Sequence, residues 1–202
     1  MVTVEATFLY DVGSPNAWFA HRLIPQIEAR SPVRFRYVPI LIGGLFKLAN
    51  NRAPLIAFAE IPHKTAYIRR EIERFARRHD LTHYTLNPHF PVNTLLAMRG
   101  AVAAGHAGVA DTYAEAMFTA MWEQGRNVAD PEVFHATLVE AGLPADRIVA
   151  LAGEQAIKDE LAANTQAAFD AGAFGAPSFE IGDELYFGKD GLLELEADLP
   201  AH

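Results

Sequence analysis

The residues best suited to chemistry near the start of the chain are Ser14 and Pro15, which follow a strand-like segment, Val4–Tyr10, and open a helical pattern. Serine is favoured as a helix N-cap, and proline fits the first helical position because its missing N–H has no helical partner there. A hydroxyl at this place lies at the positive end of the helix dipole, which favours an anion, including a thiolate. The local pattern leaves two roles open for Ser14, a plain cap or a hydroxyl that faces a ligand.

Composition excludes several kinds of chemistry. The 202 residues contain no cysteine, so a disulfide, a thiolate metal site and redox chemistry on a protein thiol are all excluded. Ser14 does not stand in the Gly-x-Ser-x-Gly pattern of a serine hydrolase. The 8 histidines show no spacing typical of a metal site. We therefore expect neither a disulfide oxidoreductase nor a bound metal.

The overall charge argues against two classes of partner. A formal net charge of −8 at pH 7 disfavours nucleic acid and anionic membrane surfaces. No apolar run reaches the roughly 18 residues of a membrane helix, and the N-terminus lacks the basic and apolar regions of a signal peptide. We expect a cytoplasmic protein with neither a nucleic-acid nor a membrane partner.

The elements that must position Ser14 lie at the two ends of the chain. The first forty residues predict a strand, a helix over Ser14–Arg30 and a second strand over Val33–Val38, and such a β-α-β crossover makes the strands parallel. The last thirty predict two short strands joined by a hairpin turn at Gly182-Asp183, then a helix over Gly188–Ala197. A hairpin and a lone β-α-β unit are each marginal, so the strands of both ends should pair in one sheet.

Residues between these ends follow helical patterns. The predicted helices are Pro62–Arg78, Asn93–Ala104, Asp111–Glu123, Glu132–Ala141, Ala145–Ala152 and Glu154–Ala171. Ile40–Arg52 predicts a loop or short helical turns, and Tyr84–Pro91 predicts irregular structure because it contains two prolines. The fold class is α/β: a thioredoxin-like sheet (β-α-β … β-β-α) from residues 1–40 and 174–202, with an inserted all-helical domain, residues 41–173.

The segment Phe174–Phe179, with Gly175-Ala176-Pro177 at its centre, resembles the end of DsbA-like domains, where a cis-proline faces the start of the first helix. More narrowly, the sequence resembles 2-hydroxychromene-2-carboxylate isomerases and the related kappa-class glutathione transferases, whose first strand also ends in a Ser-Pro helix start. Other similar stretches are Gly43–Lys47, Asn51–Pro54, Phe90–Thr94, Arg99 and Phe187–Asp190. The resemblance covers residues 5–196.

The resemblance implies that reduced glutathione is the cofactor and that Ser14 is catalytic, with its hydroxyl facing the glutathione sulfur. The implied glutathione-binding residues are Ser14, Asn51, Ala176, Pro177, Phe187, Gly188, Lys189 and Asp190. Of these, the Ala176 backbone would pair with the cysteinyl part, and Asp190 suits the γ-glutamyl ammonium. Lys47 and Asn93 point to the site of the second substrate. One departure from the family is Asn16, where Tyr or Phe commonly follows Ser-Pro.

The implied activity is a glutathione-dependent isomerase of aromatic hydrocarbon catabolism. It would convert 2-hydroxychromene-2-carboxylate, a small aromatic carboxylate, to trans-o-hydroxybenzylidenepyruvate by reversible addition of the glutathione thiolate. The resemblance also implies a homodimer. Two alternatives remain at this stage: a kappa-class-like glutathione transferase or peroxidase, which would consume glutathione, and a non-catalytic thioredoxin-fold binding protein.

Overall fold

The computed structural model of the protein describes residues 3–199, and within them the strands form one four-stranded sheet. The strands are Val4–Tyr10 (β1), Val33–Pro39 (β2), Ser178–Ile181 (β3) and Glu184–Phe187 (β4). Their order across the sheet is β2-β1-β3-β4, with β2 parallel to β1, and with β3 antiparallel to both β1 and β4. The prediction that strands from the two ends of the chain share one sheet is confirmed.

Aromatic side chains join the two halves of this sheet. Phe8 on β1 lies opposite Tyr37 on β2 and opposite Phe179 on β3. Its ring centroid is 5.3 Å from that of Phe179 and 4.8 Å from that of Tyr37. Cross-strand aromatic pairs of this kind stabilise a sheet beyond the area that they bury. On the other face of β2, Arg34 and Arg36 are exposed, as the alternation in the sequence predicts.

Helices occupy the rest of the described chain. The helix after β1 is Pro15–Arg30 (α1), and the helix after β4 is Gly188–Asp198 (α10). Those between β2 and β3 are Ile42–Leu48 (α2), Pro54–Ala57 (α3), Pro62–Arg78 (α4), Leu95–His106 (α5), Ala110–Trp122 (α6), Pro131–Glu140 (α7), Ala145–Gly153 (α8) and Gln155–Asp170 (α9). The predicted helices exist, and their ends differ from the predicted ones by at most two residues. The helix α2 forms in the segment for which the sequence predicted a loop or short helical turns.

Buried apolar side chains run without a break from the sheet into the helices that lie between its halves. Trp122 at the end of α6 is fully buried, and its indole N–H donates to the carbonyl oxygen of Val12 at 2.7 Å. This bond ties α6 to the turn that precedes Ser14. The division into domains 1–40 with 174–202 and 41–173 stays a prediction. In residues 3–199, no helix has both the length and the apolar character needed to cross a membrane.

Candidate active site

Ser14 lies between the end of β1 and the start of α1 and uses its hydroxyl in two ways. Its backbone is extended (φ −94°, ψ 120°), and its Oγ accepts a hydrogen bond from the Ala17 N–H at 3.3 Å, so it caps the helix as predicted. The same hydroxyl donates to the carbonyl oxygen of Ala176 at 2.8 Å, across 162 positions of sequence. Cap and long-range contact therefore coexist on one side chain.

The loop that meets Ser14 contains a cis peptide bond between Ala176 and Pro177, as expected from the resemblance. Its shape is held by two hydrogen bonds, from the Ser178 hydroxyl to the Gly175 carbonyl at 2.9 Å and from the Gly188 N–H to the Pro177 carbonyl at 2.9 Å. The second bond fixes the first residue of α10 beside the loop. The starts of α1 and α10 thus both lie at the same loop.

A cavity of about 920 Å³ opens beside Ser14, a size typical of small-molecule sites. Its walls come from the turn at 13–16, the start of α2, residues 51–54 and 56–58, the 90–95 segment and the loop at 174–176. Ile68 and Ile72 on α4 close one side. Most of the lining is apolar, which suits an aromatic or other apolar substrate next to the serine.

Two asparagines predicted as site residues line this cavity. The amide nitrogen of Asn51 donates to the Phe174 carbonyl at 2.9 Å, and its amide oxygen accepts from the Arg52 N–H at 2.8 Å. Asn51 therefore holds the loop of residue 174 while it borders the cavity. The Asn93 oxygen accepts from the Leu95 N–H at 3.0 Å, which helps to begin α5.

Lys47 is exposed on α2 and lies outside the set of residues that line the cavity. Arg52, which follows Asn51, does line it, and sequence reasoning gave this arginine no role. Arg52 belongs to the Asn51–Pro54 stretch that resembles the family, and this was the signal that could have identified it. In sequence alone, however, an arginine at a binding site cannot be told from a solvated surface arginine. Asn16 also lines the cavity, and its amide oxygen is buried without a hydrogen-bond partner among the described residues.

The predicted residues at the start of α10 divide between the cavity and the protein interior. Phe187 lines the cavity and packs on Phe174 with ring centroids 4.4 Å apart. Lys189 is 3% exposed, and its ammonium lies 2.7 Å from a carboxylate oxygen of Glu71 on α4 and 3.0 Å from one of Asp190. The Asp190 carboxylate is largely exposed, so it remains accessible to a ligand while the lysine is not.

Asp11 is a polar residue of this region that the sequence did not single out. It is fully buried, and its carboxylate accepts hydrogen bonds from the backbone N–H groups of Gly13 and Ile42, each at 2.8 Å, and from the Thr94 hydroxyl at 3.0 Å. Burial raises the pKa of this carboxyl to about 6, against the opposing effect of those three hydrogen bonds. Residues 3–199 contain no cluster of three or more histidine or acidic side chains placed to bind a metal.

Comparisons with known proteins identify the family and the fold. A family model described as a DSBA-like thioredoxin domain matches residues 6–199. The chain is 25% identical over 189 residues to human glutathione S-transferase kappa 1, covering 87% of this chain and 79% of that protein. It is 24% identical over 200 residues to a 2-hydroxychromene-2-carboxylate isomerase of Sphingobium xenophagum, covering 98% and 99%. A solved structure of 2-hydroxychromene-2-carboxylate isomerase superposes with a TM-score of 0.81 at 22% identity, covering 96% and 93%.

Proposed function

The chain belongs to the DsbA-like thioredoxin family, and we propose that within this family it is an enzyme that works with the thiol of bound glutathione. The observation that carries the proposal is the contact of 2.8 Å between the Ser14 hydroxyl and the Ala176 carbonyl, where a helix start meets a cis-proline loop. The sequence contains no cysteine, so the sulfur for chemistry at this place has to come from a ligand.

We propose that glutathione binds across the loop and the starts of α1 and α10. Its cysteinyl backbone would pair with Ala176 in the manner of an added strand, beside Pro177. At the start of α10 the Gly188 N–H is already bonded to the Pro177 carbonyl, so the next N–H groups, of Lys189 and Asp190, are the ones that suit a carboxylate, and the exposed Asp190 carboxylate suits the γ-glutamyl ammonium. Asn51 would complete the site from its position beside Phe174, while Lys189 stays with Glu71.

A single proton on Ser14 must serve two acceptors in this scheme. In the structure the hydroxyl donates to Ala176, and that same carbonyl would accept the cysteinyl N–H of the ligand. Once the ligand supplies a donor to the carbonyl, the Ser14 proton is available to turn toward the sulfur. A charge-assisted hydrogen bond and the positive end of α1 then both favour the thiolate over the thiol.

The reaction that we propose is isomerisation of a conjugated aromatic carboxylate such as 2-hydroxychromene-2-carboxylate. The thiolate forms a carbon–sulfur bond to the conjugated system, the ring opens, the carbon–carbon bond rotates, and the thiolate leaves with its electron pair. Glutathione returns unchanged. Asn93 and Arg52 border the cavity in which the substrate would lie, and Arg52 would supply positive charge for the carboxylate, a role that the resemblance gives to Lys47 although Lys47 lies outside the lining.

Ser14→Ala tests the proposal. The variant should still fold and should lose about 100-fold or more of glutathione-dependent turnover, as expected when one donor to a developing charge is removed. The thiolate absorbance of bound glutathione, measured as a function of pH, should show a higher thiol pKa in Ser14→Ala than in the wild type. Ser31→Ala, at the far end of α1, is the matched control and should leave both readings unchanged. Full activity in Ser14→Ala contradicts the proposed role.

Measurement of the glutathione concentration during turnover distinguishes the proposed isomerase from its alternatives. An isomerase leaves the glutathione concentration constant through many turnovers, whereas a transferase or peroxidase consumes it in proportion to substrate. A binding protein without catalysis would show no turnover, and absence of heat on titration with millimolar glutathione would favour it. We also propose that the protein is cytoplasmic and that it is a homodimer, and sedimentation velocity on the purified protein checks the second of these.

A further inference from the structure

The buried carboxylate of Asp11 is a polar group at the site to which the proposed chemistry assigns no role. It is 0% exposed, so it cannot touch a ligand in the cavity. Both carboxylate oxygens already accept hydrogen bonds: Oδ1 accepts from Gly13, and Oδ2 accepts from both Ile42 and Thr94. A general base needs an oxygen within reach of the substrate, so Asp11 is not placed to act as one.

The three donors belong to three different walls of the cavity. Gly13 is the residue before Ser14, Ile42 is the first residue of α2, and Thr94 is the residue before α5. Neither α2 nor α5 has a capping bond from its own N-cap side chain. The Asp11 carboxylate therefore satisfies an otherwise open N–H at the start of α2 and holds the Thr94 hydroxyl, and with it the start of α5.

Asp11 is also bonded to Ser14 through its backbone. The Ser14 N–H donates to the Asp11 carbonyl at 3.0 Å, and the Gly13 N–H donates to the side chain of the same residue. A side chain on Gly13 would lie 2.8 Å from the Thr94 methyl carbon, so the turn is packed directly against the start of α5. Because Asp11 is bonded to the turn of Ser14 and to the starts of α2 and α5, a shift of its carboxylate would change the position of Ser14 relative to those two helices.

We propose that Asp11 is a positioning residue that acts through Ser14, its carboxylate setting where the hydroxyl lies relative to the walls that enclose the second substrate. This inference rests on the proposed function. Among the groups that face Asp11, the hydrogen-bonding partners are neutral, and Tyr10 is its titratable neighbour, with a pKa raised first by its own burial and then by the charge of Asp11. The ionised carboxylate is the form that accepts all three hydrogen bonds.

A double-mutant cycle between Asp11→Asn and Ser14→Ala tests the inference, with kcat and the KM for glutathione measured for each protein. An amide has an NH2 group where the carboxylate has its second oxygen. At least one of the three groups that donate to Asp11 would then face another donor instead of an acceptor. We expect Asp11→Asn to lower kcat by about 10-fold in the wild-type background, with KM changed by less than about 3-fold because the Ala176 contact remains. In the Ser14→Ala background the same substitution should change kcat by less than about 2-fold.

Losses that multiply in the double variant would overturn the inference, because a residue that merely supports the fold acts whether or not the serine hydroxyl is present. So would an unchanged kcat in folded Asp11→Asn.

If Asp11→Asn does not fold, Thr94→Val replaces it in the cycle, because it removes one hydrogen-bond donor to the Asp11 carboxylate. We expect Thr94→Val to lower kcat by about 3-fold in the wild-type background and to have no effect in the Ser14→Ala background. Asp111→Asn, an exposed acid-to-amide change on α6, is the control. Failure of the wild type to bind glutathione would instead contradict the proposed function.

Discussion

At the scale of single residues, the Ser14 hydroxyl caps a helix and also bonds a distant loop, which leaves it compatible with the proposed role toward a ligand. The lone pair that accepts from Ala17 does not involve the hydroxyl proton, which goes to Ala176. The proton can therefore turn toward a sulfur without loss of the helix cap. A cap and a catalytic group are compatible roles here, although the local sequence presents them as alternatives.

The two roles of Ser14 can be separated by comparison with another capped helix. Asp130, which is outside the lining of the cavity, caps α7 by accepting from the Glu132 N–H at 2.9 Å. We expect Ser14→Ala and Asp130→Ala each to lower the free energy of unfolding by about 1 kcal/mol, measured by urea titration. Turnover should fall only in Ser14→Ala. A comparable loss of turnover in Asp130→Ala would mean that activity follows stability and not the hydroxyl.

Asp11 links stability to pH in an unusual direction. Its pKa rises from the ordinary value of 3.8 to about 6 on folding, so the folded protein binds a proton that the unfolded chain releases. The stability from this proton is fully present below about pH 3.8 and is lost as the pH rises through 6. At about 1.36 kcal/mol per unit, the change is on the order of 3 kcal/mol.

Urea titrations of wild type and Asp11→Asn between pH 4 and pH 7 measure this effect, because the difference between the two proteins cancels the other titrating groups. The wild type should lose stability relative to the variant as the pH rises over that range. A difference that is independent of pH would contradict the raised pKa. The absolute stability of the variant does not enter this comparison.

The local sequence predicted Ser14 as a helix cap because serine followed by proline is typical of a helix start, and the resemblance to DsbA-like domains predicted the cis-proline loop at Ala176-Pro177. Asp11 has no such signal. Its partners Ile42 and Thr94 lie 31 and 83 positions further along the chain, and only the folded structure brings them together. Arg52 and Asn16 are similar cases, since their position in the cavity wall depends on how whole elements pack.

At the scale of elements, the strands and long helices follow from hydrophobic periodicity, and the short elements near the cavity do not. α2 carries two glycines and only one buried residue, Leu45, so its sequence lacks a clear apolar stripe. It forms because its first N–H is bonded to Asp11 and because it packs on α9, where the Thr165 hydroxyl accepts from the Leu41 N–H at 2.9 Å. Tertiary contacts of this kind decide short helices, whose own stability is marginal.

The position of α4 depends on a small number of contacts near its C-terminal half. Phe75 and Ala76 are its buried residues, and Glu71 pairs with the buried ammonium of Lys189 on α10, which also lies 4.7 Å from the centre of the Phe75 ring. Since Ile68 and Ile72 close one side of the cavity, this attachment also shapes the site.

We expect Glu71→Gln to destabilise the protein by about 1–3 kcal/mol, because the buried Lys189 ammonium then keeps only the exposed Asp190 carboxylate as a charged partner. Hydrogen exchange of the α4 amides should rise in the same variant. Glu73→Gln, an exposed change on the same helix, provides the control. Lys189→Met should cost less than Glu71→Gln, since it removes the buried charge and keeps apolar contact with Phe75; the reverse order would contradict this account.

At the scale of the whole molecule, one network of charges joins the first crossover to the helices between β2 and β3. Arg22 on α1 pairs with Glu115 on α6 at 2.7 Å and with Glu123 just after it. His21 bridges the Tyr37 hydroxyl on β2 at 2.9 Å and the Glu115 carboxylate at 3.0 Å. The network therefore spans the sheet, α1 and α6, alongside the apolar core that these elements share.

This network predicts a loss of stability in acid. The hydrogen bond from His21 and then the contacts of Arg22 hold the pKa of Glu115 at about 2, below the ordinary value of 4.5. Because the folded-state value is depressed, the stability that Glu115 contributes is present above pH 4.5 and is lost as the pH falls toward 2. Its sign is thus opposite to that of Asp11. Glu115→Gln should lower the free energy of unfolding at pH 6 and much less at pH 2.5, whereas Glu132→Gln, on the exposed start of α7, should change neither. Equal losses at both pH values would show that the carboxylate charge is not what joins α1 to α6.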